Sequence, residues 1–313
     1  MFLPILRRLG VFAITMLLAS AVVFFLMQMV PGDPATAIAG LDASEERLAE
    51  IRSELGLDRP VVVQYGVWLG DAVTGDLGTS LWTRQPVSEV IVERLPATLQ
   101  VVALSVLIAV LIGVPAGLLA AMWPNGARDR AVTGVSTLGV AIPNFWLGMM
   151  LIYLFGLTLG WFPVSGFRGI SSGVGEFLHH AILPAFAMAT VGAAEITRQL
   201  RAALLDVMAS DYVRTARARG LSRRQILVKH ALRNTGVTLL TIVGLLANRL
   251  VGATVVVEAV FAIPGAGSMV VEAVRQRDYP LIQGMVLVLA VIVLVNNTLV
   301  DLLYRRIDPR IKG

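Results

Sequence analysis

Apolar and polar positions along this chain fall into long blocks rather than short alternations. The stretches 11–32, 97–122, 131–167 and 279–300 carry no charged residue. A helix needs about 20 apolar residues to cross roughly 30 Å of hydrocarbon. Six segments meet that demand: about 9–30, 97–122, 132–158, 181–203, 235–258 and 280–303. The fourth has a short charge-free part and contains Pro184. The first is longer than a signal-peptide core, and Pro31-Gly32-Asp33-Pro34 after it is no small-residue cleavage site, so it is read as a retained helix. The pattern predicts an all-α, polytopic membrane protein with six transmembrane helices. Its parts are an N-terminal end and first span (1–30), a polar helical segment (31–96) and a five-helix core (97–313).

Composition agrees. Of 313 residues, 56% are hydrophobic and only 15% charged, where a soluble domain carries about 25% charge. Cysteine is absent and histidine is limited to His179, His180 and His230. Disulfides, thiol catalysis, cysteine-held metals and multi-histidine metal sites are therefore excluded or disfavoured, and no catalytic residue, metal or cofactor is assigned to this chain. Its two lysines, Lys229 and Lys312, follow Val228 and Ile311. Neither fits the Gly-Lys-Ser/Thr of a phosphate-binding loop, so any ATP used must be held by another chain. The net charge of +5 points to no nucleic-acid partner here. Its placement is what informs, because Lys and Arg concentrate on the cytoplasmic side of a bilayer. With the N-terminus inside, the cytoplasmic pieces hold 17 Lys/Arg and the external pieces 8. Both termini are therefore expected in the cytoplasm, with the bilayer a plasma (inner) membrane.

The 31–96 segment is too polar to span and too patterned for a tail. Asp42 and Glu45 have the spacing of a capping box, and Leu48, Ile51 and Leu55 form one apolar stripe before Gly56. A second amphipathic helix is predicted at 61–72, with Tyr65 and Trp68, and a third, separate one at 86–95. These helices either cover the bundle at the membrane surface or offer a platform to a soluble external partner.

A cytoplasmic hairpin at about 206–233 is the strongest local signal. Ser210 is placed to cap a short helix with Asp211 in its first turn, and Gly220 to end it. Ser222 and Gln225 form a fresh capping box for a second helix that leads into the fifth span. Ala216 and Gly220 share one side, where small groups would admit a partner's surface. Arg223 and Arg224 stand in a first helical turn, against the dipole. That placement suits either a functional contact or phosphates of the lipid surface.

This hairpin resembles the EAA loop of ABC-importer membrane subunits. Ala216, Gly220 and Leu232 fall on pattern positions, while Arg214, Thr215, His230 and Arg233 depart from them. Tyr212-Val-Arg-Thr-Ala-Arg-Ala-Arg-Gly220 and His230-Ala-Leu-Arg-Asn234 are similar to the variant in dipeptide/oligopeptide/nickel permeases. Gly56-Leu-Asp-Arg-Pro60, Gln64-Tyr65, Gly75-Asp-Leu-Gly78, Arg94-Leu-Pro-Ala-Thr98, Ile142-Pro-Asn-Phe-Trp146 and Phe162-Pro-Val-Ser165 extend the likeness along the chain. The resemblance implies half of a heterodimeric type I importer. A second related subunit, two cytoplasmic ATPase subunits holding ATP and Mg, and an external peptide-binding protein would complete it. It implies ATPase coupling through Asp211, Tyr212, Arg214, Thr215, Ala216, Arg217, Gly220 and Leu221. Di- or oligopeptide cargo is expected, with nickel complexes or glutathione as alternatives.

Within the spans, Arg249 and its neighbour Asn248 are candidates for a translocation pathway, because charge inside a membrane usually serves function. Asn144 and the pair Asn296-Asn297 could line the same route. Glu195 and Arg198 have the spacing of a helix-surface pair. An ion-coupled secondary transporter built on Arg249 and Glu195 is the competing class.

Overall fold

The computed structural model describes residues 2–29, 34–39, 43–54 and 56–307. In chain order its helices are α1 (Phe2–Gln28), α2 (Pro34–Ala39), α3 (Glu45–Glu54), α4 (Val61–Thr74), α5 (Val87–Met122), α6 (Ala127–Ala141) and α7 (Asn144–Leu151), the last continued by a π-helical turn, Ile152–Thr158. Then follow α8 (Val174–Met208), α9 (Asp211–Ala218), α10 (Arg223–Gln225), a second π segment (Ile226–Ala231), α11 (Leu232–Asn234), α12 (Gly236–Phe261), α13 (Ala266–Gln276) and α14 (Tyr279–Ile307). Five helices are long and apolar enough to span, and six spans result if α6 and the segment Asn144–Thr158 count as one.

Three expectations change. The third span is not straight: it bends by 97° between Ala141 and Asn144. Proline forces the residue before it out of the helical region and lacks the N–H that would continue the ladder; Ile142 and Pro143 are both extended (ψ 121° and 136°). Pro184, by contrast, sits inside an unbroken α8. The helix predicted at 86–95 is not separate but forms the start of the 36-residue α5, which runs through Pro96 and Pro115. Between the fifth and sixth spans, where no helix was expected from the span pattern, the chain forms α13.

The chain divides into two compact units, 1–96 with 265–295, and 97–264 with 296–313. In the first, α4 lies against α1. Phe24 meets Tyr65 and Trp68 at ring-centroid distances of 5.4 and 5.5 Å, and Ser20 Oγ lies 2.9 Å from Tyr65 Oη. This is the amphipathic helix expected at 61–72. The stripe expected in α3 is buried at Leu48 and Ile51 against Ala35, and Ser44 Oγ accepts from Arg47 N–H at 3.3 Å; Asp42 and Leu55 lie outside the described residues. A further core joins Val87, Val90 and Ile91 of α5 to Ala266, Met269, Leu281 and Met285. Beside it the buried Asp278 carboxylate accepts from Ser80 Oγ and, at 3.2 Å, from Leu81 N–H, fixing the turn before α5.

In the second unit α8 is the central post, packed by α6, α7 and α12. Its buried side carries Leu183, Met188, Ala189, Ala193 and Ile196 against Val101 and Ala109 of α5 and Ile242, Leu246 and Leu250 of α12. Small residues let the backbones close up, as membrane helices require. A Cβ on Gly113 would lie 2.8 Å from both the Ala193 carbonyl oxygen and Ile196 Cβ. The carbonyl belongs to helix backbone and cannot step aside, so Gly113→Ala is expected to lose about 1–3 kcal/mol by overpacking. A thermal melt of the detergent-solubilised protein checks this; an unchanged midpoint would contradict the close α5–α8 approach. At the far end of the unit's core, Thr98 Oγ1 donates to the buried Glu258 carboxylate at 2.5 Å.

Candidate functional site

The hairpin forms as its sequence dictates, with informative departures. Ser210 takes the extended conformation of an N-cap, but its hydroxyl turns back to the Val207 carbonyl at 2.5 Å rather than to the α9 amides. Gly220 has φ +83°, a region open to glycine at little cost. Its N–H reaches Arg217 O at 2.9 Å, and Leu221 N–H reaches Ala216 O at 3.3 Å, closing the end of α9. The Ser222–Gln225 capping box is present in both directions. The second arm is not a uniform α-helix, since Ile226–Ala231 widens into a π turn, the form often found at functional sites.

The two arms are clamped to each other and to the bundle. Asn234 Nδ2 donates to Tyr212 Oη at 2.8 Å, and Arg223 Nη2 donates to the carbonyl of Ala121 in α5 at 3.3 Å. Beneath them lies a closed apolar core of Val213, Ile226, Leu227 and Ala231 with Leu200, Leu204 and Met208 of α8. Ala216 and Leu221 pack on this core. Ala216 therefore faces the chain's own bundle, not the surface shared with Gly220, and its small size serves internal packing. The outer face of α9 is Asp211, Tyr212, Arg214, Thr215 and Arg217, all exposed, with Arg214 Nη1 3.4 Å from Asp211 Oδ1.

One further pair steadies this end. Arg201 of α8 binds Asp129 at the start of α6 through Nε and Nη2, both at 2.6 Å. Asp129 also accepts from Asn125 N–H at 2.8 Å and Thr133 Oγ1 at 3.3 Å. Sequence reasoning missed this pair, because the two residues lie 72 positions apart and no local pattern joins them.

In the membrane core, Glu195 does not pair with Arg198. Its carboxylate accepts from Arg249 Nη2 across the α8–α12 interface and from Gln199 Nε2 at 2.9 Å. Asn248 joins a separate amide cluster: its Nδ2 donates to Asn297 Oδ1 at 2.8 Å and its Oδ1 accepts from Asn296 Nδ2 at 2.8 Å. Asn144 opens α7 directly after the bend, its Oδ1 buried without a hydrogen-bond partner among the described residues. The sites named from sequence thus separate into the hairpin, the Arg249 pair, the asparagine cluster and Asn144.

Residues 113–313 match the profile of the binding-protein-dependent transport system inner membrane component, and residues 1–102 match the profile of its N-terminal region. The chain belongs to this family. Among relatives of this inner membrane component, the oligopeptide transport system permease protein AppB of Bacillus subtilis is 42% identical over 92% of each chain. The dipeptide transport system permease protein DppB of Alkalihalophilus pseudofirmus is 38% identical over 98% of each. The glutathione transport system permease protein GsiC of Escherichia coli O6:H1 is 39% identical over 95% of each. An inward-facing structure of the MetNI methionine ABC transporter superposes with a TM-score of 0.58 at 20% identity, over 70% of this chain and 96% of that one. The last likeness shows a shared fold.

Proposed function

We propose that this inner membrane component is one of two related membrane halves of an ATP-driven importer for di- or oligopeptides. An external peptide-binding protein delivers cargo to it, and two cytoplasmic ATPase subunits, holding ATP and Mg, drive it. The observation that carries the proposal is the hairpin: one face of α9 is sealed onto α8 while the other stands free with two arginines, an aspartate and a tyrosine. A helix held that rigidly passes displacement of a docked partner into α8, and α8 is the post around which the unit is packed. Asp211, Tyr212, Arg214, Thr215 and Arg217 make the docking face, and Gly220 with Leu221 sets its end. Both termini lie in the cytoplasm in this reading, on the charge bias of the loops. Arg249, Asn248 and Asn144 belong to the translocation pathway.

Purification of the tagged chain from its host in mild detergent tests the assembly. Co-purification of a second six-span subunit and P-loop ATPases, with measurable ATP hydrolysis, is the expected result. Recovery of this chain alone, well folded and without ATPase activity, would overturn the reading and favour an ion-coupled carrier. Glutathione is the second cargo to try, because the relative GsiC is a glutathione transport system permease protein; glutathione is itself a tripeptide with free carboxylates.

A further inference from the structure

The Arg249–Glu195 pair lies at mid-depth. Arg249 follows Gly236, the start of α12, by thirteen residues, and Glu195 precedes Met208, the end of α8, by thirteen. At 1.5 Å per residue each is roughly 20 Å from the hairpin end of its helix. A charge at that depth faces a water-lined space or a polar partner, not lipid. Yet the Arg249 side chain is 55% exposed while Glu195 is 20% exposed. Arg249 has one hydrogen-bond partner among the described residues, Glu195, through Nη2. A guanidinium carries five N–H donors, so four remain unused. Glu195 is different: one oxygen receives Arg249 and the other Gln199.

We infer that Arg249 is a passing contact for the C-terminal carboxylate of the peptide cargo, and that Glu195 positions it and moderates its grip. The inference rests on the peptide-importer reading above and adds the chemistry of one step. The free donors of Arg249 offer a planar, two-pronged match to a carboxylate. An arginine without a counter-charge in this setting would hold a carboxylate too tightly to release it. Glu195 makes the pair neutral overall, so cargo gains a directional contact without a net electrostatic trap, as conduction through a membrane requires. The two helices approach closely at this point: a Cβ on Gly192, one turn before Glu195, would lie 2.6 Å from Leu246 Cδ2 of α12. The pair bridges α8 and α12 within that close contact.

The test uses the assembled membrane complex with its ATPases, in nanodiscs and without the binding protein, so that no other protein selects the cargo. Trialanine and trialanine amide are titrated against it, and uptake of labelled trialanine by the complete importer is measured in parallel. The expected result is that trialanine binds about tenfold more tightly than its amide, the scale of a hydrogen-bonded charge. Arg249→Gln should bring the two within about twofold, and Glu195→Gln should tighten trialanine while slowing its uptake. Where Arg249→Gln fails to assemble, Arg249→Lys decides, since it keeps the charge but loses the fork and should cut the preference to about threefold. A wild-type complex that takes up trialanine but binds acid and amide alike would overturn this inference and leave the importer reading intact. A tenfold preference that survives substitution of Arg249 would do the same, assigning the exposed guanidinium to the second subunit. Absence of trialanine uptake altogether would sink both.

Discussion

Gly220→Asp is expected to leave the protein inserted and folded while lowering peptide uptake at least about tenfold. Two properties of the position set this outcome. Its φ of +83° costs a non-glycine residue roughly 1–2 kcal/mol, and aspartate is among the residues that tolerate it best. Apart from its two chain neighbours, no atom of the described residues lies within 4 Å of where a Cβ would stand, so no packed side chain is displaced. What changes is a charge at the exit of α9, on the surface proposed above to meet the ATPase. Gly220→Asn supplies the control, with a similar tolerance of the left-handed backbone and no charge. Uptake and ATPase co-purification measured for both variants separate the causes. Equal loss in the two would assign the effect to strain, and normal uptake in Gly220→Asp would remove this end of the hairpin from the coupling surface. Ala216→Glu is not an equivalent probe, because Ala216 packs inward and a glutamate there would disrupt the hairpin core.

Arg201→Met is expected to destabilise the second unit by about 3–5 kcal/mol, the usual cost of stripping one partner from a buried ion pair. Asp129 is only 4% exposed, Arg201 27%. Removing the arginine leaves a carboxylate with hydrogen bonds from Asn125 and Thr133 but no counter-charge. Replacing both residues, Asp129→Leu with Arg201→Met, should restore much of the loss, since apolar substitutes for a buried pair are often neutral. A thermal melt of the parent and the two variants in one detergent tests the claim. A single mutant as stable as the parent would show that the pair contributes nothing.

Much of the fold was legible because lipid makes the sequence state it in long uncharged runs. Spans one, two and six follow directly from such runs, spans four and five were read despite Glu195, Arg198, Arg201 and Arg249 within them, and the sharpness of the bend at Pro143 was hidden because hydropathy does not register backbone dihedrals. The start of α5 was misplaced for a related reason: the amphipathic stretch 86–95 was read as a surface helix apart from the apolar run at 97–122, although one helix carries both. The hairpin was legible because caps and a left-handed glycine are local signals. Its inward face at Ala216 was not, since only the packing of α8 decides which side of a short helix is covered. The pairs Arg201–Asp129, Arg249–Glu195 and Thr98–Glu258 lie beyond local reasoning altogether; each joins residues at least 54 positions apart.

From Arg223 to Phe261 the chain is helical but for one turn residue, Thr235, and the wide turn at Ile226–Ala231. An α-helix advances 100° of azimuth per residue, and a π turn accommodates an additional residue without lengthening the axis in proportion. The wide turn therefore absorbs one surplus position, so that Ile226, Leu227 and Ala231 keep their packing on α8. Loss of a residue between 226 and 231 would be taken up there by closing the turn to ordinary α-helix, whereas one lost from the regular helix after Gly236 would rotate the hairpin by about 100° about the fifth span.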